Sequence, residues 1–144
     1  RIVHIELLNE HAKVPSTKYD ENACYDIHAA EDISIPPGER KKVSTGIRVN
    51  IPKGYEMLIR PRSGLALKHG ITVLNTPGTI DSNYRGEIFV ILINLSKDTF
   101  TVRTGDRIAQ CCVKHVMDFN FIVADKVDVD ATSRGARGLG SSGI

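Results

Sequence analysis

Val43, Thr45, Ile47, Val49 and Ile51 occupy every second position of one stretch, with Ser44, Arg48 and Asn50 among the residues between them. A strand sends alternate side chains to opposite faces, so this run can bury one face and wet the other. Further short apolar runs at residues 2–8, 33–35, 55–59, 99–103, 107–116 and 121–127 predict more strands of the same kind. Residues 87–94, EIFVILIN, are apolar almost throughout. Such a strand is expected in the centre of the fold, covered on both faces. Turn signals separate the runs at Pro36-Pro37-Gly38, Pro52-Lys53-Gly54, Asn75-Thr76-Pro77-Gly78, Tyr84-Arg85-Gly86 and Thr104-Gly105-Asp106. Only residues 63–70, SGLALKHG, read as a helix. The expected class is all-β, a jelly-roll-like barrel or sandwich with one short helix.

A chain of 144 residues, 41% hydrophobic and 25% charged, has the apolar surface for one compact domain. Residues 1–130 are expected to form that domain. Residues 131–144 hold the only low-complexity stretch, RGARGLGSSG, with four glycines, two arginines and two serines. A net charge of +2 is too small to imply a nucleic-acid surface, so no nucleic-acid partner is expected and any phosphate-binding charge must be local. No apolar run approaches the roughly 20 residues of a membrane span, and the first residues lack a signal-peptide core. The expectation is a soluble protein of the cytoplasm or another intracellular, reducing compartment, without a membrane partner. The three cysteines, Cys24, Cys111 and Cys112, form no C-x-x-C pair and leave one over under any intrachain pairing. They read as small buried side chains rather than as a metal or redox site.

GLGSSG, near the end, matches the dinucleotide fingerprint G-x-G-x-x-G letter for letter, but the fingerprint needs a following helix and a later acidic residue. Only Ile144 follows. Glycines that let backbone N–H groups approach an anion, serine hydroxyls and the charges of Arg134 and Arg137 still make a phosphate-binding flap. A disordered tail is the alternative. In PRSGLALKHG, residues 61–70, Ser63 is either an ordinary helix N-cap or, with Arg62, part of an anion site. Asp81 in NTPGTIDSNYRGE, residues 75–87, is either an Asx cap at a turn or a general base with Tyr84 as a pocket wall. Asp26 sits in the apolar context ACYDIHAAED, where an unpaired carboxylate is costly, and Arg107 and Gln110 open a strand in GDRIAQ.

In chain order, ACYDIHAA, PRSGLA, NTPGTIDSNYRGE, GDRIAQ and RGARGLGSSG resemble the five motifs of the homotrimeric dUTPase family, the deoxyuridine 5′-triphosphate nucleotidohydrolases. The resemblance covers essentially the whole chain. It implies a trimer of β-clip domains with active sites between subunits, in which Mg²⁺-assisted hydrolysis of dUTP yields dUMP and pyrophosphate. That activity limits uracil incorporation into DNA and supplies dUMP for thymidylate synthesis. Carried over residue by residue, Asp81 would deprotonate the water that attacks the α-phosphorus, and Tyr84 would pack under the deoxyribose. Asn75, the backbone of Gly78, Thr79 and Ile80, and the main chain at Phe89 would read the uracil edge. Arg62, Ser63, Gly64 and Gln110 would hold phosphates, and Asp26 would reach the metal through water. Residues 131–144 would be a flexible lid, with Arg134 on the γ-phosphate, Leu139 over the base, and Gly140, Ser141 and Ser142 as further donors.

The chain departs from that pattern in places. Leu139 stands where most members carry a phenylalanine, Arg137 where glycine is common, Asn83 where a second acidic residue is frequent, and Cys24 where glycine is frequent. Two rival classes remain open at this level: a dCTP deaminase on a similar fold, and a regulatory module that binds nucleotide without turnover. A zinc deaminase is disfavoured because no H-x-E with a later C-x-x-C occurs.

Overall fold

A computed structural model describes residues 1–144. The elements are β1 (His4–Leu7), β2 (Tyr25–His28), β3 (Ile33–Ile35), β4 (Arg40–Ser44), β5 (Ile47–Asn50), β6 (Tyr55–Arg60), α1 (Ser63–His69), β7 (Ile71–Val73), β8 (Gly78–Ile80), β9 (Phe89–Asn94), β10 (Phe100–Val102) and β11 (Arg107–His115). Every ladder between them is antiparallel. They form a four-stranded sheet β2-β11-β6-β8, a three-stranded sheet β4-β9-β7, and the pairs β1-β5 and β10-β3. Ile27, Met57, Ile59 and Cys111 of the first sheet meet Val43, Val90, Leu92, Ile71 and Val73 of the second in one core. The expected all-β class with one short helix is the observed one.

The period-two run that opened the sequence holds its phase throughout: Val43, Thr45, Ile47, Val49 and Ile51 are all 2% exposed or less. It is nevertheless two strands. At Gly46 the backbone takes φ 67, a left-handed conformation that suits glycine, and the chain passes from the β9 partner of β4 to the β1 partner of β5. A Cβ at Gly46 would also come within 2.9 Å of the Ala12 side chain.

Strand β9 lies between β4 and β7, as its composition predicts, but it is covered on one face only. Val90 and Leu92 are buried, whereas Phe89 and Ile91 are 36% and 37% exposed because no second layer of this chain lies over them. The Lys42 ammonium partly covers that outer face, 4.3 Å from the Phe89 ring centroid. Asn94, at the end of the strand, is fully buried and satisfied: its amide donates to the carbonyls of Ile35 and Asp98, and its oxygen accepts from the Ser96 backbone and hydroxyl.

The strand expected at residues 121–127 does not form. Phe121, Ile122 and Val123 are 98%, 87% and 98% exposed, and no other strand of this chain offers them a ladder. Past the Val116 N–H, which donates to the Gly54 carbonyl, the only regular element is a 3₁₀ turn at Val129–Ala131. No helix is long and apolar enough to cross a membrane.

Candidate active site

The middle of the four-stranded sheet carries one cluster. Register pairs Gln110 with Asp26 on β2 and with Arg60 on β6, so these three residues form one row across the sheet. The Asp26 carboxylate lies 3.5 Å from Nε of Arg62 and 3.7 Å from Nη1 of Arg107. Arg62 Nη1 also donates to the Arg107 carbonyl at 3.0 Å, and Gln110 Nε2 donates to the Pro61 carbonyl at 2.9 Å. The cost of burying Asp26 in an apolar context is thereby met by two guanidinium groups. Arg107 is the member of this cluster that the sequence reading noted without assigning it a role. Its signal was available in GDRIAQ, three positions before Gln110.

Arg62 is itself the N-cap position of α1, with extended backbone, and no side chain caps the helix. Ser63 is therefore the first helical residue and not the cap, and its hydroxyl makes no hydrogen bond. Ser63 and Gly64 stand beside Arg62 with the uncapped N–H groups of a first turn. His28 lies two residues beyond Asp26 on β2. Its Nδ1 is buried without a partner, and its pKa is held below the ordinary value first by burial and then by Lys13, against the opposing pull of Asp26.

A second cluster surrounds Asp81. Gly78 begins β8 beside Ile59 of β6, and a Cβ there would come within 3.4 Å of the Asn75 amide nitrogen, so backbone and amide approach closely. After Ile80 the chain turns, with the Tyr84 N–H donating to the Asp81 carbonyl at 3.0 Å. The Asp81 carboxylate accepts no hydrogen bond and joins no ion pair, so it is not an Asx cap. Tyr84 donates its hydroxyl to the Glu87 carbonyl at 2.7 Å, and its ring lies so close to Gly86 that any Cβ there would collide with it. Arg85 braces the turn through the Ser82 and Tyr84 carbonyls and Asn50 Oδ1. Thr79, Ile80, Asp81, Tyr84 and Phe89 share a cavity of about 220 Å³ with Lys42, Glu87 and Ile91. Lys42, in the basic run Arg40-Lys41-Lys42, reads from the sequence as a solvated strand end, since nothing in its own segment links it to β9.

The two clusters do not meet within one chain. Along β6, Met57 pairs with Ile80 and Arg60 with Gln110, so Asp81, next after Ile80, lies toward the Tyr55 end of the strand and Arg62 past the Arg60 end. From Met57 to Arg62 the rise is about 16 Å at strand spacing. The cavity beside Arg62 and Arg107, about 370 Å³, shares no lining residue with the cavity at Asp81. A larger cavity, about 720 Å³ and mainly apolar, contains none of the expected site residues.

Residues 131–144 are exposed throughout, Leu139 completely. Arg134 and Arg137 donate to each other's carbonyls at 2.8 and 3.1 Å, and Ser141 N–H donates to the Gly138 carbonyl. No hydrogen bond or ion pair joins Arg134, Leu139, Gly140, Ser141 or Ser142 to either cluster.

Residues 10–143 match the dUTPase family model. The deoxyuridine 5′-triphosphate nucleotidohydrolase of Nautilia profundicola is 51% identical over 139 residues, covering 96% of each chain. In fold, a glycine-to-serine mutant of the Staphylococcus bacteriophage 80alpha dUTPase, solved with dUpNHpp, is similar with a TM-score of 0.90 at 24% identity, over 99% of both chains. A mutant dUTPase from phage phi11 of S. aureus, in which a structural Mg(II) ion is coordinated, reaches 0.82 at 23% identity, over 89% of this chain and 99% of its own. With a family match across nearly the whole chain and half of its residues shared with a relative of the same length, the chain belongs to the dUTPase family.

Proposed function

We propose that this chain hydrolyses dUTP to dUMP and pyrophosphate, with Asp81 activating the attacking water, and that it does so as a homotrimer whose sites lie between subunits. The observation that carries the reading is the division of the site. A free carboxylate over a tyrosine wall stands at one end of β6, and an arginine–glutamine cluster stands at the other, so neither half suffices alone. Bringing the Asp81 end of one subunit against the Arg62 end of another completes a pocket for a nucleoside triphosphate.

In that pocket Asp81 needs only to hold a water and accept its proton, a task suited to a carboxylate with no other partner. Tyr84, anchored through Glu87 and closed over Gly86, is a rigid floor for a deoxyribose, and a floor of fixed height excludes a 2′-hydroxyl by contact. The approach of Asn75 to the Gly78 backbone, with Thr79, Ile80 and the main chain at Phe89, supplies donors and acceptors for the uracil edge. Arg62, Ser63, Gly64 and Gln110 meet phosphate oxygens, and fixed charges there stabilise the transition state without reorganising. Residues 131–144 close as a lid, Arg134 on the γ-phosphate, Leu139 over the base, and Gly140, Ser141 and Ser142 adding donors; their freedom from the β body leaves them able to do so.

No group of three acidic, histidine or cysteine side chains forms a metal cage. One carboxylate beside a phosphate site, Asp26, is the donor set that suits Mg²⁺, which binds through one or two carboxylates and substrate phosphates and keeps several waters. Bound in this way, Mg²⁺ would supply charge neutralisation on the triphosphate. Activity of this kind limits uracil incorporation into DNA and supplies dUMP for thymidylate synthesis, in the cytoplasm or another reducing intracellular compartment. The test is pyrophosphate release with Mg²⁺ from dUTP, dCTP, dTTP and UTP in parallel. Release from dUTP alone is expected; binding of dUTP without release would support the regulatory reading, and ammonia from dCTP the deaminase.

A further inference from the structure

The cysteines, which the sequence spacing presents as three unrelated side chains, are brought together by the register of β2 against β11. Cys111 pairs with Tyr25 in the last rung of the ladder, and continuing that register one step, through the bend at Cys24, sets Cys24 against its neighbour Cys112. Residues directly opposite in an antiparallel pair have Cα atoms about 4.5–5.5 Å apart, inside the range of about 4.4–6.8 Å that a disulfide spans. Burial and then the neighbouring Cys112 raise the Cys24 pKa, against the pull of Arg60, whose Nη1 is 3.9 Å from Cys24 Sγ. Cys24 is only half-buried, which corrects the expectation of three buried cysteines, whereas Cys112 is 2% exposed behind it. Cys111 points to the other face, into the core, where burial pushes its thiol up to about 12. The pair thus has an accessible member and a sheltered one.

We propose that Cys24 and Cys112 form a reversible cross-strand disulfide, a redox-controlled modification site two ladder steps from Asp26 and Gln110. Side chains two apart along an extended chain share a face, so Cys24 with Cys112 and Asp26 with Gln110 lie on the same face on either side of the Tyr25–Cys111 rung, about 7 Å apart. The oxidant is a low-molecular-weight disulfide such as oxidised glutathione. The Cys24 thiolate attacks one of its sulfurs, forming a mixed disulfide and expelling one glutathione thiolate. The Cys112 thiolate then attacks the Cys24 sulfur, closing the protein bridge and expelling the second. Two protein thiols are oxidised, one glutathione disulfide is reduced, and the two protons lost by the cysteines end on the two glutathione thiols. Closing the bridge draws Cys24 away from Arg60 and fixes β2 to β11 beside the phosphate-facing row. The consequence for substrate rests on the function proposed above and is a higher KM for dUTP.

The test uses the full chain equilibrated with mixtures of reduced and oxidised glutathione, followed by alkylation of free thiols and peptide mapping without reduction. Under oxidising mixtures two of the three thiols should be lost in a Cys24–Cys112 cross-linked peptide, with Cys111 still alkylated, and dithiothreitol should restore all three. The bridged protein should melt at least about 5 °C higher, because the bridge constrains a long loop in the unfolded chain. Cys112→Ala should stop at a stable glutathione adduct on Cys24, and Cys24→Ser should lose no thiol. Retention of three thiols, or a bridge through Cys111, would overturn the site. A severalfold rise in KM reversed by dithiothreitol is expected on oxidation; an unchanged KM in a fully bridged sample would overturn the link to the phosphate row. Failure of the protein to turn over dUTP would count against the proposed function alone, since the thiol count is independent of it.

Discussion

The Asp26 carboxylate lies 3.5 Å from the Arg62 guanidinium, with only about a quarter of either side chain exposed. Arg107 completes the group from the other side of the same carboxylate, so Asp26→Asn would leave two guanidinium groups facing a neutral amide. Loss of a partly buried partner of this kind costs about 1–3 kcal/mol. The urea midpoint is expected to fall accordingly, and the KM for dUTP to rise, because Arg62 loses the anchor that holds it over the row. An unchanged urea midpoint would show that the two arginines find other partners.

How much of this was legible in the sequence depended on the kind of information required. Strand phase is local: the alternate positions from Val43 to Ile51 are all buried, and the reading of β11 at residues 107–116 fits the observed Arg107–His115. Strand partners are not local. Nothing in the alternation marks Gly46 as the point where the chain changes sheets, and β7, with three residues, is too short for any period to appear. Residues 121–127 carry strand chemistry but lack a partner within this chain, and without a ladder the pattern has nothing to pair with.

The same distinction separates the site residues. Asp81 and Tyr84 could be read together because they share one turn, in which the Tyr84 N–H donates to the Asp81 carbonyl. Arg107, Lys42 and the Cys24–Cys112 pair escaped assignment because their significance lies in register across strands distant in sequence.

Asp81 offers a clean separation of chemistry from stability. Its carboxylate has no partner to lose, so Asp81→Asn should leave the unfolding free energy within about 0.5 kcal/mol. Removing a general base costs about 10²–10⁴ in kcat. Steady-state pyrophosphate release and a denaturant curve on the same sample check both halves. A large loss of stability would mean that the carboxylate has a structural partner after all.

His28 sets a pH dependence of stability. Its folded pKa lies below the unfolded value of 6.5, because burial and Lys13 disfavour the charged ring. The unfolded chain therefore binds more protons in the window between the two values, and stability must fall as pH drops below about 6.5 toward the folded pKa. Above that window the ring is neutral in both states and contributes no slope. His28→Gln should flatten this part of the curve when denaturant midpoints are measured from pH 7.5 down to 5; an identical slope in the variant would assign it to another group.

Deletion of residues 131–144 should leave the melting temperature unchanged, since no hydrogen bond or ion pair ties that segment to the β body. On the proposed lid role, the same deletion should raise the KM for dUTP and lower kcat, because its donors and the Arg134 charge are lost. Within the intact chain, Leu139→Phe should lower KM by about fivefold, the equivalent of about 1 kcal/mol of aromatic stacking. A KM that does not fall would show that residue 139 does not cover the base.

The separation of the two clusters along β6 leads to a prediction that distinguishes a shared site from a self-contained one. On the proposed roles, Asp81→Asn removes the base end and Arg62→Ala the phosphate end, so each variant alone should be nearly inactive. Suppose the two are unfolded together, mixed in equal amounts and refolded, so that subunits reassort. A site that takes Asp81 from one subunit and Arg62 from another then has about one chance in four of receiving both intact residues. Recovery of about a quarter of the unmutated rate is therefore expected from two dead parents. A site built within one chain would recover nothing at any mixing ratio, because every chain would carry one of the two lesions.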